Sequence, residues 1–326
     1  MVYRILGHEK NEALLARALT NGKIFPTWIF HGPPGIGKSG IAFKFAKCLL
    51  VGTERTKETL DVAPDNPVHG LVDQRIHPDF FLLEQTNGSV SIDDTRKLLM
   101  KIRKTPALSG WRVVILENSS GLNKNICNSL LKMLEEPPAN TAIIMICNQL
   151  GTIPRTLLSR ASLLCFHPLR EPLVKQILEE KQIKNPSELA RLAEGSVGYA
   201  LRLNENDGIS IYNNILNGFS MRDNNSHSKT LKWIIENNVH NHFEIIKMSL
   251  LRILKIYIDA LVGIAEESVQ EEAQILRPLV EQRRAFPDLE IKKVQEIIDM
   301  IYRCEPLMLD KNAVIVCVFG KFFGEI

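Results

Sequence analysis

The chain has 326 residues, 45% of them hydrophobic and 24% charged, with a net charge of +3. This is enough length for two or three domains and a composition ordinary for soluble globular proteins; the charge balance neither demands nor excludes a nucleic-acid partner. Six cysteines (Cys48, Cys127, Cys147, Cys165, Cys304, Cys317) are scattered with no C-x-x-C pair, so neither a zinc site nor a disulfide framework is implied.

Read in chain order, the opening stretch Met1 to His8 has no apolar core of a secretory signal, and a cytoplasmic protein is expected. Asn11 to Asn21 has helical spacing. Thr27 to His31 reads as a strand, then a Gly/Pro-rich loop, then a helix from Gly40 to Leu50. Val51 to Arg75 is polar with little periodicity and is expected to be a surface insertion. Phe80 to Leu83 is a second strand. Ser91 and Asp94 fit a capping box that opens a helix running to about Lys104. Trp111 to Glu117 is a third strand, and Asn125 to Glu136 a helix stopped by Pro137-Pro138. Ala142 to Cys147 and Leu163 to Phe166 are the fourth and fifth strands. Strands this apolar, spaced by helices, predict a parallel sheet covered on both faces.

After Pro168 the strand signals fade. Pro172 to Lys181, Pro186 to Ala193 and Val197 to Leu203 read as short helices, and from Ile209 onward the spacing is helical. The most apolar run, Ile245 to Ile264, is interrupted by Lys247, Arg252, Lys255 and Asp259, so a buried helix is expected and not a membrane span. The predicted fold class is an α/β P-loop nucleotide-binding domain with a parallel sheet over 1–168, a small helical lid over 169–207 and an all-α domain over 208–326.

The chemistry concentrates at Gly32-Pro33-Pro34-Gly35-Ile36-Gly37-Lys38-Ser39, which fits G-x-x-x-x-G-K-[ST]. The strand–loop–helix setting is what such a loop needs. Glycines let backbone N–H groups turn inward, and the following helix points its positive end at phosphates. Lys38 is expected to reach the β- and γ-phosphates of ATP, and Ser39 to hold Mg²⁺. An acid is also needed at a neighbouring strand end to organise Mg²⁺. Val113 to Leu116 ends at Glu117-Asn118, so Glu117 is the candidate second magnesium ligand. If Glu117 holds the metal, the next residue, Asn118, cannot accept a proton; if Glu117 is the base, Leu116 falls at the metal position and cannot ligate; either way one role is empty, and a missing general base typically costs about 10²–10⁴ in rate.

Several segments together resemble the clamp-loader AAA+ family of bacterial DNA polymerase III. They are Gly110 to Ile115 with Leu122-Asn123, Asn128 to Thr141 with its Leu134-Glu135-Glu136-Pro137-Pro138 core, and Thr156-Leu157-Leu158-Ser159-Arg160. The resemblance covers most of 5–205; beyond 209 only the helical character is similar, matching that family's collar. It implies a hetero-oligomer with other loader subunits that places a sliding clamp on primer–template DNA, with ATP held at subunit interfaces and no membrane role. It also implies that Arg160, in Ser159-Arg160-Ala161 where the family has Ser-Arg-Cys, acts in trans on a neighbour's nucleotide. Asn148 falls at the family's γ-phosphate sensor. Gly198 stands where motor subunits carry an arginine, and Arg202 lies one turn on. The four-cysteine zinc module of many relatives is missing between Cys48 and Asp79. Two readings of the P-loop stay open: a subunit with impaired catalysis, or a working motor. A small-molecule P-loop kinase is disfavoured by the helical second half. The basic residues Lys101, Arg103, Lys104, Arg283 and Arg284 are read first as solvated faces.

Overall fold

A computed structural model describes residues 5–52, 59–84, 92–102, 105–108, 110–117, 133–220, 224–236, 239–264, 269–304, 307 and 309–324. The chain divides into two compact units, Met1–Pro186 with Leu192–Tyr199, and Ser187–Arg191 with Ala200–Ile326.

The first unit is built on five parallel strands: β1 (Thr27–His31), β2 (Phe80–Leu83), β3 (Arg112–Leu116), β4 (Thr141–Cys147) and β5 (Ser162–Cys165), in the order β2-β3-β4-β1-β5. β3 and β4 are buried along their whole length, as strands covered on both faces must be. Helices α1 (Glu9–Thr20) and α2 (Lys38–Val51) serve one face, where Leu15, Leu19, Ile41, Phe45 and Leu49 join Trp28, Phe30, Val113 and Ile144 in one apolar cluster. The opposite face buries Ile29, Val114, Ile143 and Met145 against Leu98 and Ile102 of α4 (Ile92–Ile102) and against Met133, Leu134 and Leu157. The alternation along each strand, one side chain up and the next down, sorts these residues between the two clusters.

The described part of the polar stretch after α2, from residue 59 on, is more ordered than its sequence suggests. It contains a short helix, α3 (Val68–Asp73), and buries Leu60, Val62 and Val72 in the α1–α2 cluster. Lys44 on α2 pairs with Asp61 at 3.3 Å and with Glu12 at 3.1 Å, and Lys47 pairs with Asp73 at 2.7 Å. Ser91, the expected cap of α4, lies outside the described residues, as does most of the helix expected over 125–136; residues 133–135 are helical.

The second unit is helical: after the end of the Val197–Glu205 helix come Gly208–Ser220, Asn224–Glu236, Val239–Val262, Gln270–Arg283, Pro287–Arg303 and Lys311–Phe323. Phe219, Leu250, Leu254, Tyr257, Leu276, Ile297, Val318 and Phe322 are buried in it. It also buries charge. Glu272, 2% exposed, faces Arg191 at 2.7 Å and Arg252 at 3.3 Å. Burial pushes the phenol of Tyr212, beside Glu272, up to about 12. No helix among the described residues is long and apolar enough to cross a membrane.

Candidate nucleotide site

The sheet's register assembles the site. His31 pairs with Cys147, so the loop leaving β1 starts beside Asn148, the first residue after β4. Leu116 pairs with Met145, which sets Glu117 beside Ile146. The carboxyl ends of three adjacent strands therefore meet at the start of α2, where open α/β sheets place their ligand crevice. The result is a cleft of about 450 Å³ lined by Pro34, Gly35, Gly37, Lys38, Ser39, Glu117, Ile146 and Asn148. Gly32 and Pro33 lead into it. The Ile36 side chain turns away and is 2% exposed in the core.

The loop's carbonyls all face the protein. Lys38 Nζ donates to Gly32 O and to Pro33 O, each at 2.5 Å. Ser196 Oγ donates to Pro34 O at 2.9 Å, and the Gly198 N–H to Gly35 O at 2.8 Å. His8 Nε2–H donates to Ile36 O at 2.6 Å, which fixes the tautomer of that buried ring, and the Ile41 N–H donates to Gly37 O at 3.2 Å. With six consecutive carbonyls turned into the protein, the N–H groups of the loop are free to face the cleft, the concave arrangement that binds anions. Gly37, at φ 106°, holds the left-handed turn that starts α2.

Lys38 is 5% exposed and also donates to Asn148 Oδ1 at 3.1 Å. Burial pulls its pKa down to about 8, against the smaller opposing influence of Cys147. Among the described residues this ammonium is held by carbonyls and an amide and has no counter-charge; phosphate oxygens would supply one. Ser39 and Glu117 line the same cleft and are the residues that would hold a divalent ion beside those phosphates. The chain thus has the donor set for a nucleotide with its magnesium, which would bring an activated phosphoanhydride bond to the site. Among the described residues no group of three or more His, Cys, Asp or Glu side chains is arranged to hold a metal by itself.

Gly198 meets the loop backbone to backbone. A Cβ there would lie 2.8 Å from Gly35 Cα, so no side chain is accommodated at 198 without moving the loop. Arg202 belongs to the second unit. Asn118 lies outside the described residues.

Arg160 is not among the residues lining the cleft. It follows a helical turn, α5 (Arg155–Leu158), with its side chain 38% exposed. Nη1 donates to Thr156 O at 3.0 Å and to Ser159 Oγ at 3.2 Å, and Nη2 pairs with Glu135 at 3.1 Å. Sequence reading did not find His8, Ser196 as a loop donor, or Glu135. Their roles depend on carbonyls and partners 28, 162 and 25 residues away, and no spacing motif encodes them.

The chain is 31% identical over 212 residues to the DNA polymerase III subunit tau of Escherichia coli (strain K12), covering 62% of this chain and 32% of that one. It is 32% identical over 135 residues to the subunit delta' of Pseudomonas aeruginosa, covering 41% and 40%, and 27% identical over 200 residues to the delta' of Bacillus subtilis (strain 168), covering 60% and 58%. The matched stretch spans less than two thirds of each of these relatives. A family model described as "DNA polymerase III, delta subunit" matches residues 7–170, half of the chain. The chain belongs to that DNA polymerase III, delta subunit family.

Proposed function

We propose that the chain is a delta-prime-like subunit of the DNA polymerase III clamp loader, a member of the AAA+ class. In this reading it joins other loader subunits in a hetero-oligomer that places the sliding clamp on primer–template DNA in the cytoplasm. Its Gly32 to Ser39 loop, with Glu117 and Asn148, holds ATP and Mg²⁺, and its Arg160 serves a nucleotide bound by a neighbouring subunit. The helical region from 208 onward acts as the collar through which subunits associate.

The observation that carries this reading is the contrast at the cleft. The phosphate cradle is complete, yet the catalytic complement around it is not. Glu117 is followed by Asn118, which cannot act as a base, and Gly198 packs so closely on Gly35 that a phosphate-contacting side chain has no room there. Arg160, by contrast, keeps an exposed guanidinium, and a cation supplied in trans to a γ-phosphate is worth about 10³ or more in rate. The similarity to tau supports a second reading, a tau/gamma-like motor subunit; the Gly198 packing weighs against it.

Two measurements test the proposal. The isolated chain should bind a fluorescent ATP analogue but hydrolyse ATP far more slowly than the complex it joins. It should also co-elute with the other loader subunits. Turnover by the free chain at the rate of the complex would instead establish the motor reading.

A further inference from the structure

We propose that Glu135 is a positioning residue for Arg160, setting the orientation in which that arginine is offered to a neighbouring subunit. The inference rests on the trans-donor reading of Arg160 and adds the group that makes it effective.

The geometry begins with the guanidinium. Its Nη1 uses both hydrogens within the chain, on Thr156 O at 3.0 Å and on Ser159 Oγ at 3.2 Å. Ser159 Oγ is itself fixed, donating to Thr156 O at 3.1 Å. Nη2 faces Glu135 Oε1 at 3.1 Å. Among the described residues, Nε–H has no partner. Nε–H and the adjoining hydrogen of Nη2 form one edge of a planar group, and such an edge can meet two phosphate oxygens at once. Thr156 and Ser159 both hold the same nitrogen, at one end of the group. Glu135 supplies the second point of attachment.

Exposed ion pairs are usually loose, and this one is 38% and 49% exposed. Here, however, both backbones are anchored in the same core. Met133 and Leu134, just before Glu135, are 7% and 6% exposed. Leu157, three residues before Arg160, is fully buried, and Leu158 and Ala161 pack on the same cluster. Two short segments nailed to one apolar cluster fix where the two side chains begin. Pro137 and Pro138, directly after Glu135-Glu136, end the helical turn that carries the carboxylate. The pair therefore contributes little to stability and much to direction. A cation whose reach is set to within an ångström retains its effect on a transition state, whereas a misplacement of about 1 Å can cost about 10² in rate.

The test uses the reconstituted loader containing this chain, with primer–template-stimulated ATP hydrolysis as readout, for Glu135→Ala, Glu135→Gln, Arg160→Ala and the Glu135→Ala/Arg160→Ala double variant. Glu135→Ala should lower kcat about tenfold with KM for ATP nearly unchanged, since aim and not nucleotide affinity is lost. Glu135→Gln keeps an oxygen acceptor and should recover part of the loss. Each variant should melt at the wild-type temperature. In the Arg160→Ala background, removing Glu135 should have no further effect. If Arg160→Ala slows the complex but Glu135→Ala does not, the positioning role is wrong and the trans-donor reading stands. A further loss from Glu135→Ala in the Arg160→Ala background would likewise overturn it, by showing that Glu135 acts independently. If Arg160→Ala itself leaves the rate unchanged, the trans-donor reading fails and takes the proposal with it.

Discussion

Two cations in the first unit are treated in opposite ways. Lys38 is 5% exposed, held by carbonyls of its own loop and by Asn148, and pulled down in pKa by burial. Arg160 is 38% exposed and held by one carbonyl, one hydroxyl and one carboxylate. The lysine is turned inward beside its own cleft; the arginine is turned outward with an edge to spare. Residue chemistry matches placement: an ammonium can shed its proton where burial is costly, and a guanidinium stays charged where it must act at a distance. Under the proposed function the two cations serve different nucleotides, and the contrast can be broken or sharpened by experiment.

The largest effect is expected from Arg160→Ala. It should slow the stimulated ATPase of the reconstituted complex by about 10³, while the isolated variant binds a fluorescent ATP analogue and melts as the wild type does. Loss of binding by the isolated variant would mean that both cations serve one cleft, erasing the contrast. Lys38→Ala comes next. It should weaken analogue binding by the isolated chain by about 100-fold, the scale of losing hydrogen bonds to a charged group, as read by fluorescence titration.

Gly198→Arg is third. From sequence alone it looks like a repair that restores the cation of a motor subunit. The contact with Gly35 reverses the expectation: the new Cβ alone would meet Gly35 Cα at 2.8 Å. Nucleotide affinity and melting temperature should both fall, by about 1–3 kcal/mol of overpacking. A gain in ATPase would show that the loop gives way and that the cleft is a latent motor site.

Smallest is the pH dependence of binding. Lys38 titrates at about 8, held there by burial. Without phosphate it is charged below that pH and neutral above it, and bound phosphate favours the charged form. Affinity should hold steady up to about pH 7.5 and fall as pH rises through 8, reaching about a tenfold loss at pH 9. Calorimetry in two buffers should detect proton uptake on binding near pH 8.5.

Much of this arrangement was legible beforehand. Apolar runs such as Val113 to Leu116 announce buried parallel strands, and β1 and β2 fall where their patterns place them. The P-loop declares itself by its glycines and lysine and Glu117 by standing at a strand end, whereas Asn148 is marked only by the family resemblance. The helix α3 and the turn α5 were not legible. Six- and four-residue helices have too few positions to display a period, and α3 is held by Leu60, Val62 and Val72 in a distant core and by lysines of α2. His8 and Ser196 escaped for a related reason. Each works by capping a carbonyl of the loop, and a carbonyl is present at every residue, so nothing in the sequence marks which one is met.

The strand β4 has a consequence for how movement at the cleft should be measured. It lies between β3 and β1, all seven of its residues are buried, and Asn148 follows directly from its end. Its amides should be among the slowest in the first unit to exchange with deuterium. Asn148 is therefore a fixed post in a site whose other wall, from Gly32 to Gly37, is a loop stayed by side chains. A distance probe anchored on β4 reads the loop's displacement alone, so any change it reports on nucleotide binding belongs to the loop and its stays at Lys38, His8, Ser196 and Gly198 and not to the sheet.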